Sequence, residues 1–156
     1  MEIKSLYSLT LHEIILYSIK LYEETKEIEK EYPNYKNWFI HKQIKELLEG
    51  KRDILFVEKD NKIIALACLK KNENKICTLY VKEEYRKQKI GTKLLEESMK
   101  YLKTTKPFIT ISENKLSMFK SFINKYKWEI IEVNNNVYNH KEYCLNGYIT
   151  KKSYTK

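Results

Sequence analysis

Glycine and proline are scarce in this chain, 3 and 2 among 156 residues. That scarcity excludes collagen-like repeats and low-complexity linkers, which are rich in both. No run approaches the ~18 uninterrupted apolar residues of a membrane-spanning helix. The apolar stretch Leu9–Leu21 carries His12, Glu13 and Lys20, and no small-residue cleavage site follows it, so it is not expected to be a signal peptide. There are only three cysteines, Cys68, Cys77 and Cys144, an odd number with no C-x-x-C pair. The expectation is a reduced, cytoplasmic protein without a disulfide framework. His12, His41 and His140 are far apart and have no ligand-like spacing to the cysteines, so no metal site is expected. Arginine is nearly absent, with Arg52 and Arg86 alone among thirty basic residues. Base-specific nucleic-acid readers rely on arginine forks. The lysine excess therefore reads as a solvated surface before it reads as a nucleic-acid face.

What is present points to a folded domain. A hydrophobic fraction of 42%, with 13% aromatic residues, excludes a disordered tail protein. The length suits one domain by the prior of ~100–200 residues, taken as residues 1–150 with a short polar tail at 151–156. A chain near ~150 residues can bury ~70% of its unfolded surface. The formal net charge is +9 but uneven. Residues 1–50 hold 7 basic and 9 acidic groups, net −2, and residues 51–156 hold 23 and 12, net +11. An anionic ligand is expected on the later two thirds.

Periodicity supplies the elements. Glu2–Leu6 reads as a first strand. Thr10 with Glu13 forms a capping-box pattern, and Leu11, Ile14, Ile15, Ile19 and Tyr22 recur at helical spacing, so a helix is expected to about Glu31, before Pro33. A second helix is expected with Ile40, Ile44, Leu47 and Leu48 on its inner face, Trp38, His41 and Lys45 on another, and Gly50 as its stop. Ile54–Glu58, Asp60–Asn61 and Ile63–Leu69 read as a β-hairpin whose strands are covered on both faces. Lys71–Asn74 is a turn and Lys75–Val81 a third strand. Gly91 opens a helix with Leu94, Leu95, Ser98 and Leu102 inward. A strand at Phe108–Ser112, a helix through Leu116, Phe119, Ile123 and Tyr126, and strands at Trp128–Val133 and Glu142–Ile149 around an Asn-rich turn complete the order β-α-α-β-β-β-α-β-α-β-β. This is an α/β domain with a mixed, mainly antiparallel sheet and helices on both faces.

The informative stretch runs from Thr78 to Leu95. A strand ends, a basic loop follows and a helix starts at a glycine. The first turn of a helix exposes unpaired N–H groups at its positive end, which binds phosphate. Arg86, Lys87 and Lys89 in the loop suit a pyrophosphate. The competing description is an ordinary charged strand-to-helix connection.

This segment resembles the coenzyme A-binding segment of the GNAT superfamily of N-acetyltransferases, whose pattern is Arg/Gln-x-x-Gly-x-Gly/Ala between the fourth strand and the next long helix. Here it reads Arg86-Lys87-Gln88-Lys89-Ile90-Gly91, with Tyr85 before it and Thr92, Leu94 and Leu95 after. The element order is similar from about Glu2 to Ile149, and Lys125-Tyr126-Lys127-Trp128 looks like the family's Lys-x-Gly-Phe signature. Lys89 stands where the family has its first glycine. Ile123 stands where many members have a tyrosine that protonates the departing thiolate, which leaves Tyr126 or solvent for that task, with solvent favoured because Tyr126 shares the inward face.

The resemblance implies an acetyl-CoA-dependent N-acetyltransferase without a metal, acting by direct attack of a primary amine in a ternary complex. It implies coenzyme A binding by Leu79 and Val81 through backbone groups and by Arg86, Lys87, Gln88, Lys89, Ile90, Gly91 and Thr92 around the phosphates. The family often has a carboxylate base on the fourth strand, where this chain offers Cys77 and Thr78, with Glu73 only in the preceding turn; no base is assigned. Trp38, His41, Cys77 and Tyr143 are the acceptor-side candidates. Small amine, peptide N-terminus, lysine and aminoacyl-tRNA all remain open as acceptors, and nucleic acid is expected only in that last form. No membrane partner is expected, and the state is monomer or homodimer. Two alternatives stand beside this reading: a basic nucleic-acid-binding module, and a non-catalytic acyl-CoA binder or dimerising scaffold on the same fold.

Overall fold

The computed structural model describes residues 1–137 and 140–147. In chain order the elements are β1 (Lys4–Ser5), α1 (Leu11–Thr25), α2 (Tyr35–Trp38), α3 (Lys45–Leu48), β2 (Arg52–Lys59), β3 (Lys62–Lys70), β4 (Lys75–Val81), α4 (Ile90–Leu102), β5 (Phe108–Ser112), α5 (Lys120–Tyr126), β6 (Ile130–Val137) and β7 (His140–Leu145). The sheet order is β1-β2-β3-β4-β5-β7-β6. Every pairing is antiparallel except β4 with β5. One core lies between the sheet and α4 with α5, and a second lies under α1, α2 and α3. This is the expected mixed α/β architecture.

Local chemistry explains the elements. Thr10 and Glu13 form the reciprocal cap, with the Glu13 N–H bonded to Thr10 Oγ1 at 3.2 Å and the Thr10 N–H to Glu13 Oε1 at 3.1 Å. Asp60 and Asn61 close the β2–β3 hairpin at φ 51° and 63°, the left-handed pair that a two-residue turn of this hand demands. β2 and β3 are buried almost end to end because helices cover both faces.

Several expectations need correction. α1 buries Ile14, Leu21 and Thr25, while Leu11, Ile15 and Ile19 are 53–64% exposed. Two hydroxyls make the buried side feasible: Ser18 and Thr25 each donate to the carbonyl four residues back, at 2.6 Å. Polar residues thus occupy inward positions that a count of apolar side chains skips. α1 also ends at Thr25 and continues as a 3-10 turn over Lys26–Lys30.

In the second helical region a π-helical turn, Phe39–Ile44, joins α2 to α3. Its wider turn shifts the inward line to Tyr35, Trp38, Phe39, Gln43 and Leu47. Ile40 and Leu48 are consequently exposed, and Trp38, expected on a different face from Ile40 and Leu47, is 5% exposed in the core beside Leu47. Gln43 can sit inside because its amide donates to the Asp53 carbonyl at 2.8 Å. The last helix begins as a 3-10 turn over Glu113–Phe119 and becomes α-helical only at Lys120. β1 has shrunk to two residues. The end of the expected last strand, residues 148–149, and the tail 151–156 lie outside the described residues, as do 138–139 of the Asn-rich turn.

Candidate active site

The site begins with a break in the sheet. β3 and β4 pair with Leu69 opposite Ile76 but Cys68 opposite Thr78, so β4 carries one extra residue at Cys77–Thr78. Such a bulge bends the strand and disrupts its ladder. β4 and β5 pair only at Lys75–Phe108 and Ile76–Ile109. Beyond the bulge the two parallel strands separate. Between them opens a cleft of about 300 Å³ lined by Ile76–Tyr80 of β4 and Ile109–Ser112 of β5.

Backbone direction follows from one bond. The Lys82 N–H donates to the Ile64 carbonyl at 2.9 Å, so Lys82 faces β3. Backbone groups alternate along an antiparallel strand, which turns Tyr80 toward β3 and Leu79 and Val81 toward the cleft. The Val81 carbonyl accepts from Arg86 Nε at 2.8 Å, which fixes the start of the basic loop against the end of β4.

The loop then enters α4. Lys87 and Lys89 have φ of 63° and 62°, left-handed conformations that cost a lysine strain a glycine would not feel. This is a physical reason for a glycine preference at position 89. The first intrahelical bond runs from the Lys93 N–H to the Lys89 carbonyl at 3.1 Å. The N–H groups of Ile90, Gly91 and Thr92 precede that bond, at the positive end of a 13-residue helix. Ile90 is 7% exposed and anchors the helix start in the core. Arg86, Lys87, Gln88, Lys89 and Thr92 are exposed around it. Gly91 has no left-handed φ, and a Cβ there would meet Val81 Cγ2 at an ordinary 3.5 Å. Its value is nearness to the end of β4, not backbone freedom.

The other wall comes from the turn after α1. The Tyr22 phenol donates to Glu29, and that bond pushes its pKa up to about 12. This contact spans α1 and the 3-10 turn that carries Glu27 and leads on to Glu31 and Tyr32 at the cleft. Glu31 Oε2 pairs with Lys115 Nζ at 2.5 Å across the cleft mouth. Tyr32 Oη donates to Glu142 Oε1 at 3.1 Å. Glu142 is 3% exposed on β7, directly opposite Ser112 of β5.

The acceptor-side candidates scatter. Cys77 alone lines the cleft; its thiol is buried, with Arg52 Nη1 3.5 Å from Sγ. Trp38 packs below, its ring 5.9 Å from the Arg52 guanidinium and 6.1 Å from Tyr35. Arg52 is fully buried and held by Glu46 at 3.2 Å and Gln43 at 3.1 Å. His41 is exposed on the π-helical turn. Tyr143 pairs with Ile111 and Val133, which places it on the sheet face toward α4 and α5, away from Tyr32. Tyr126 stacks on Phe122 with centroids 6.1 Å apart and sits beside Lys103 and Thr105, at the C-terminal end of α4. Ile123 packs on the same core. Tyr32, Glu31, Lys115 and Glu142 went unread in the sequence, because no local spacing links Tyr32 to a residue 110 positions away. Among the described residues no acidic, histidine or cysteine cluster could hold a metal ion, and no helix is long and apolar enough to cross a membrane.

A mixed sheet split at a bulge, with a helix N-terminus at the end of the split strand, defines an acyltransferase-like fold. Residues 15–116 match the acetyltransferase (GNAT) family, and the chain belongs to it. Its structure is similar to that of Escherichia coli ElaA, with a TM-score of 0.65, 14% identity, and coverage of 94% of this chain and 99% of that one. It is similar to the PaiA N-acetyltransferase of Thermoplasma acidophilum in complex with coenzyme A, with a TM-score of 0.59, 22% identity, and coverage of 95% and 100%. A third likeness is to the aminoglycoside 6'-N-acetyltransferase of Enterococcus faecium, with a TM-score of 0.62, 13% identity, and coverage of 93% and 95%. No curated protein matches the chain in sequence.

Proposed function

We propose that this chain transfers the acetyl group of acetyl-CoA to the nitrogen of a primary amine by direct attack in a ternary complex. The observation that carries the reading is the outward-facing backbone of Leu79 and Val81, in a cleft that ends beside the free N–H groups of Ile90, Gly91 and Thr92. Leu79 and Val81 would pair with the pantetheine arm as an added strand pairs with a sheet edge. The first turn of α4 would hold the pyrophosphate, with Arg86, Lys87 and Lys89 adding charge and Gln88 flanking them. Acetyl-CoA supplies the activated acyl group. Because Tyr80 faces β3, a backbone N–H of Leu79 or Val81 is the donor available to the thioester oxygen as charge develops there.

The acceptor would enter from the α1 side, past Tyr32, with Cys77 lining the floor. The cleft lining balances Glu27, Glu31 and Glu83 against Lys30, Arg86 and Lys115, so its charge alone does not select the acceptor. The acceptor class proposed is a small amine, which the aminoglycoside acetyltransferases among the structural neighbours fit. The thiolate would be protonated by solvent, since Ile123 and Tyr126 both lie away from the cleft. Residues 1–150 would form the single domain and 151–156 the tail. Three free, buried cysteines agree with a cytoplasmic setting.

The test has two stages. Calorimetry with acetyl-CoA should give one site per chain, and ligand at ~100 times its dissociation constant should stabilise the fold by ~2.7 kcal/mol. A thiol-release assay with kanamycin, spermidine, lysine and an unblocked peptide should then find an amine that turns over. No heat and no melting shift at millimolar acetyl-CoA would refute the reading.

A further inference from the structure

We propose that Tyr32 and Glu142 are the proton-accepting pair for the amine, Tyr32 as the catalytic residue at the acceptor nitrogen and Glu142 as the positioning residue behind it. This rests on the acetyl-transfer reading above. An amine that attacks a thioester must lose a proton, so the site needs an acceptor for it. β4 has no carboxylate between Lys75 and Val81. Glu73, just before it, is held by Lys70 at 3.0 Å. Glu31 is engaged by Lys115, and Glu27 and Glu83 are exposed to solvent at the mouth. Glu142 differs from all of these. It is 3% exposed and lies behind two residues that line the cleft, bonded to Tyr32 and directly opposite Ser112.

Sheet register puts it there. Ile111 belongs to the α4–α5 core, so its neighbours Thr110 and Ser112 face the α1 side. Glu142 is the direct partner of Ser112, and cross-strand partners share a face. Tyr32 reaches down from the α1–α2 connection, lines the cleft and donates its phenol proton to Glu142 Oε1. Tyr32 thus lines the cleft while its phenol proton already points at a carboxylate. Among the described residues, the groups near the pair include Ser112 from β5, bonded to Asn114 at 2.6 Å, Asn134, the β6 partner of Glu142, and the Lys115–Glu31 ion pair of the cleft lining.

The step balances. The amine nitrogen bonds to the thioester carbonyl carbon. Its proton passes to Tyr32 Oη as the phenol proton passes to Glu142 Oε1. The C–S bond then breaks, and the departing thiolate takes a proton from solvent. Glu142 returns its proton through Tyr32 to solvent, which restores the starting state.

The test uses the full chain, acetyl-CoA and the amine of the panel above that turns over fastest. Tyr32→Phe and Glu142→Gln should each lower kcat by ~10²-fold or more, the lower range for general base help. KM for the amine and the acetyl-CoA dissociation constant should stay within about threefold. In both variants log kcat/KM should climb with pH further into the alkaline range than in the parent, as free amine replaces the lost base. Glu142→Asp should recover part of the rate, which a merely packed residue would not require. A Tyr32→Phe kcat within about threefold of the parent overturns the proposal, and so does a loss confined to KM. If Glu142→Gln fails to fold, Tyr32→Phe decides, because it removes one hydroxyl from a half-buried ring. If acetyl-CoA binds and no amine turns over, the acetyl-transfer reading fails first and takes this proposal with it.

Discussion

Lys89→Gly should raise the stability of the protein, although it deletes a side chain from the proposed phosphate loop. Lys89 sits at φ 62°, ψ 16°, immediately before α4. A non-glycine residue in that conformation is strained by ~1–2 kcal/mol. Glycine relieves the strain but gives the unfolded chain more freedom, worth ~0.4–1 kcal/mol in the other direction. The Lys89 side chain is exposed, makes no hydrogen bond or ion pair among the described residues, and does not cap the helix. No contact therefore offsets the balance, which comes to ~0.5–1 kcal/mol in favour of glycine. For a chain of this size that is a rise in Tm of about 1–4 °C. Calorimetry without acetyl-CoA measures it, and Lys103→Gly, at φ 56° after α4, serves as a control on the same argument. Acetyl-CoA affinity should change by no more than about threefold, because one ammonium is lost while the backbone N–H groups proposed to hold phosphate stay in place. A lower Tm for Lys89→Gly, with the Lys103→Gly control higher, would refute the strain argument at the loop.

Other perturbations separate the parts of the structure. Urea unfolding should show Leu21→Ala losing ~2–5 kcal/mol and Ile19→Ser losing under ~0.5 kcal/mol, the reverse ordering being fatal to the observed face of α1. Burial alone would raise the Glu58 carboxyl, but bonds from Lys20 at 2.6 Å and Tyr17 at 2.7 Å outweigh it and hold its pKa below the ordinary carboxylate value. A lowered folded pKa contributes stability above the unfolded value that is lost as pH falls through the folded one, so between pH 5 and 3 the parent should lose more stability than Glu58→Gln, as followed by circular dichroism. Gly91→Ala should fold and bind acetyl-CoA, while Gly91→Glu should fold and lose binding, since its carboxylate would stand where phosphate is expected; equal affinities by calorimetry would move the phosphate site elsewhere. Tyr126→Phe should keep turnover within about threefold, and a ~100-fold fall with intact acetyl-CoA affinity would make Tyr126 the acid.

What was legible in the sequence was whatever local chemistry decides. The Thr10–Glu13 cap, the Asp60–Asn61 hairpin and the doubly covered strands β2 and β3 each depend on residues within a few positions of one another. The basic loop before Gly91 was legible for the same reason. The inward side of α1 was not, because apolar residues line two sides of that helix and only the sheet selects between them. Nor was the π-helical turn, which shifts the inward line by one residue and brings Trp38 and Gln43 inside. The Cys77–Thr78 bulge was hidden because an extra strand residue leaves no mark in an apolar run. Tyr32 and Glu142 meet only through the register of β5 with β7, set by the packing of the whole sheet.

The two walls of the cleft are under different constraints. On the β4–α4 side the proposed contacts are backbone groups, whose directions are set by strand pairing and helix geometry. Side chains there can vary as long as the bulge, the end of β4 and the start of α4 keep their places, and Lys89 shows the chain tolerating strain to do so. On the α1 side the proposed chemistry depends on side chains carried by the segment after α1, a strand end and a late hairpin. Each can be replaced without disturbing the sheet, so a proton acceptor need not stay on one strand. In the proposed pair the carboxylate that β4 lacks is supplied by Glu142 of β7, with Tyr32 spanning the gap. The cofactor half of the site can therefore be matched by motif, whereas the acceptor half has to be built from the register of this chain's own strands.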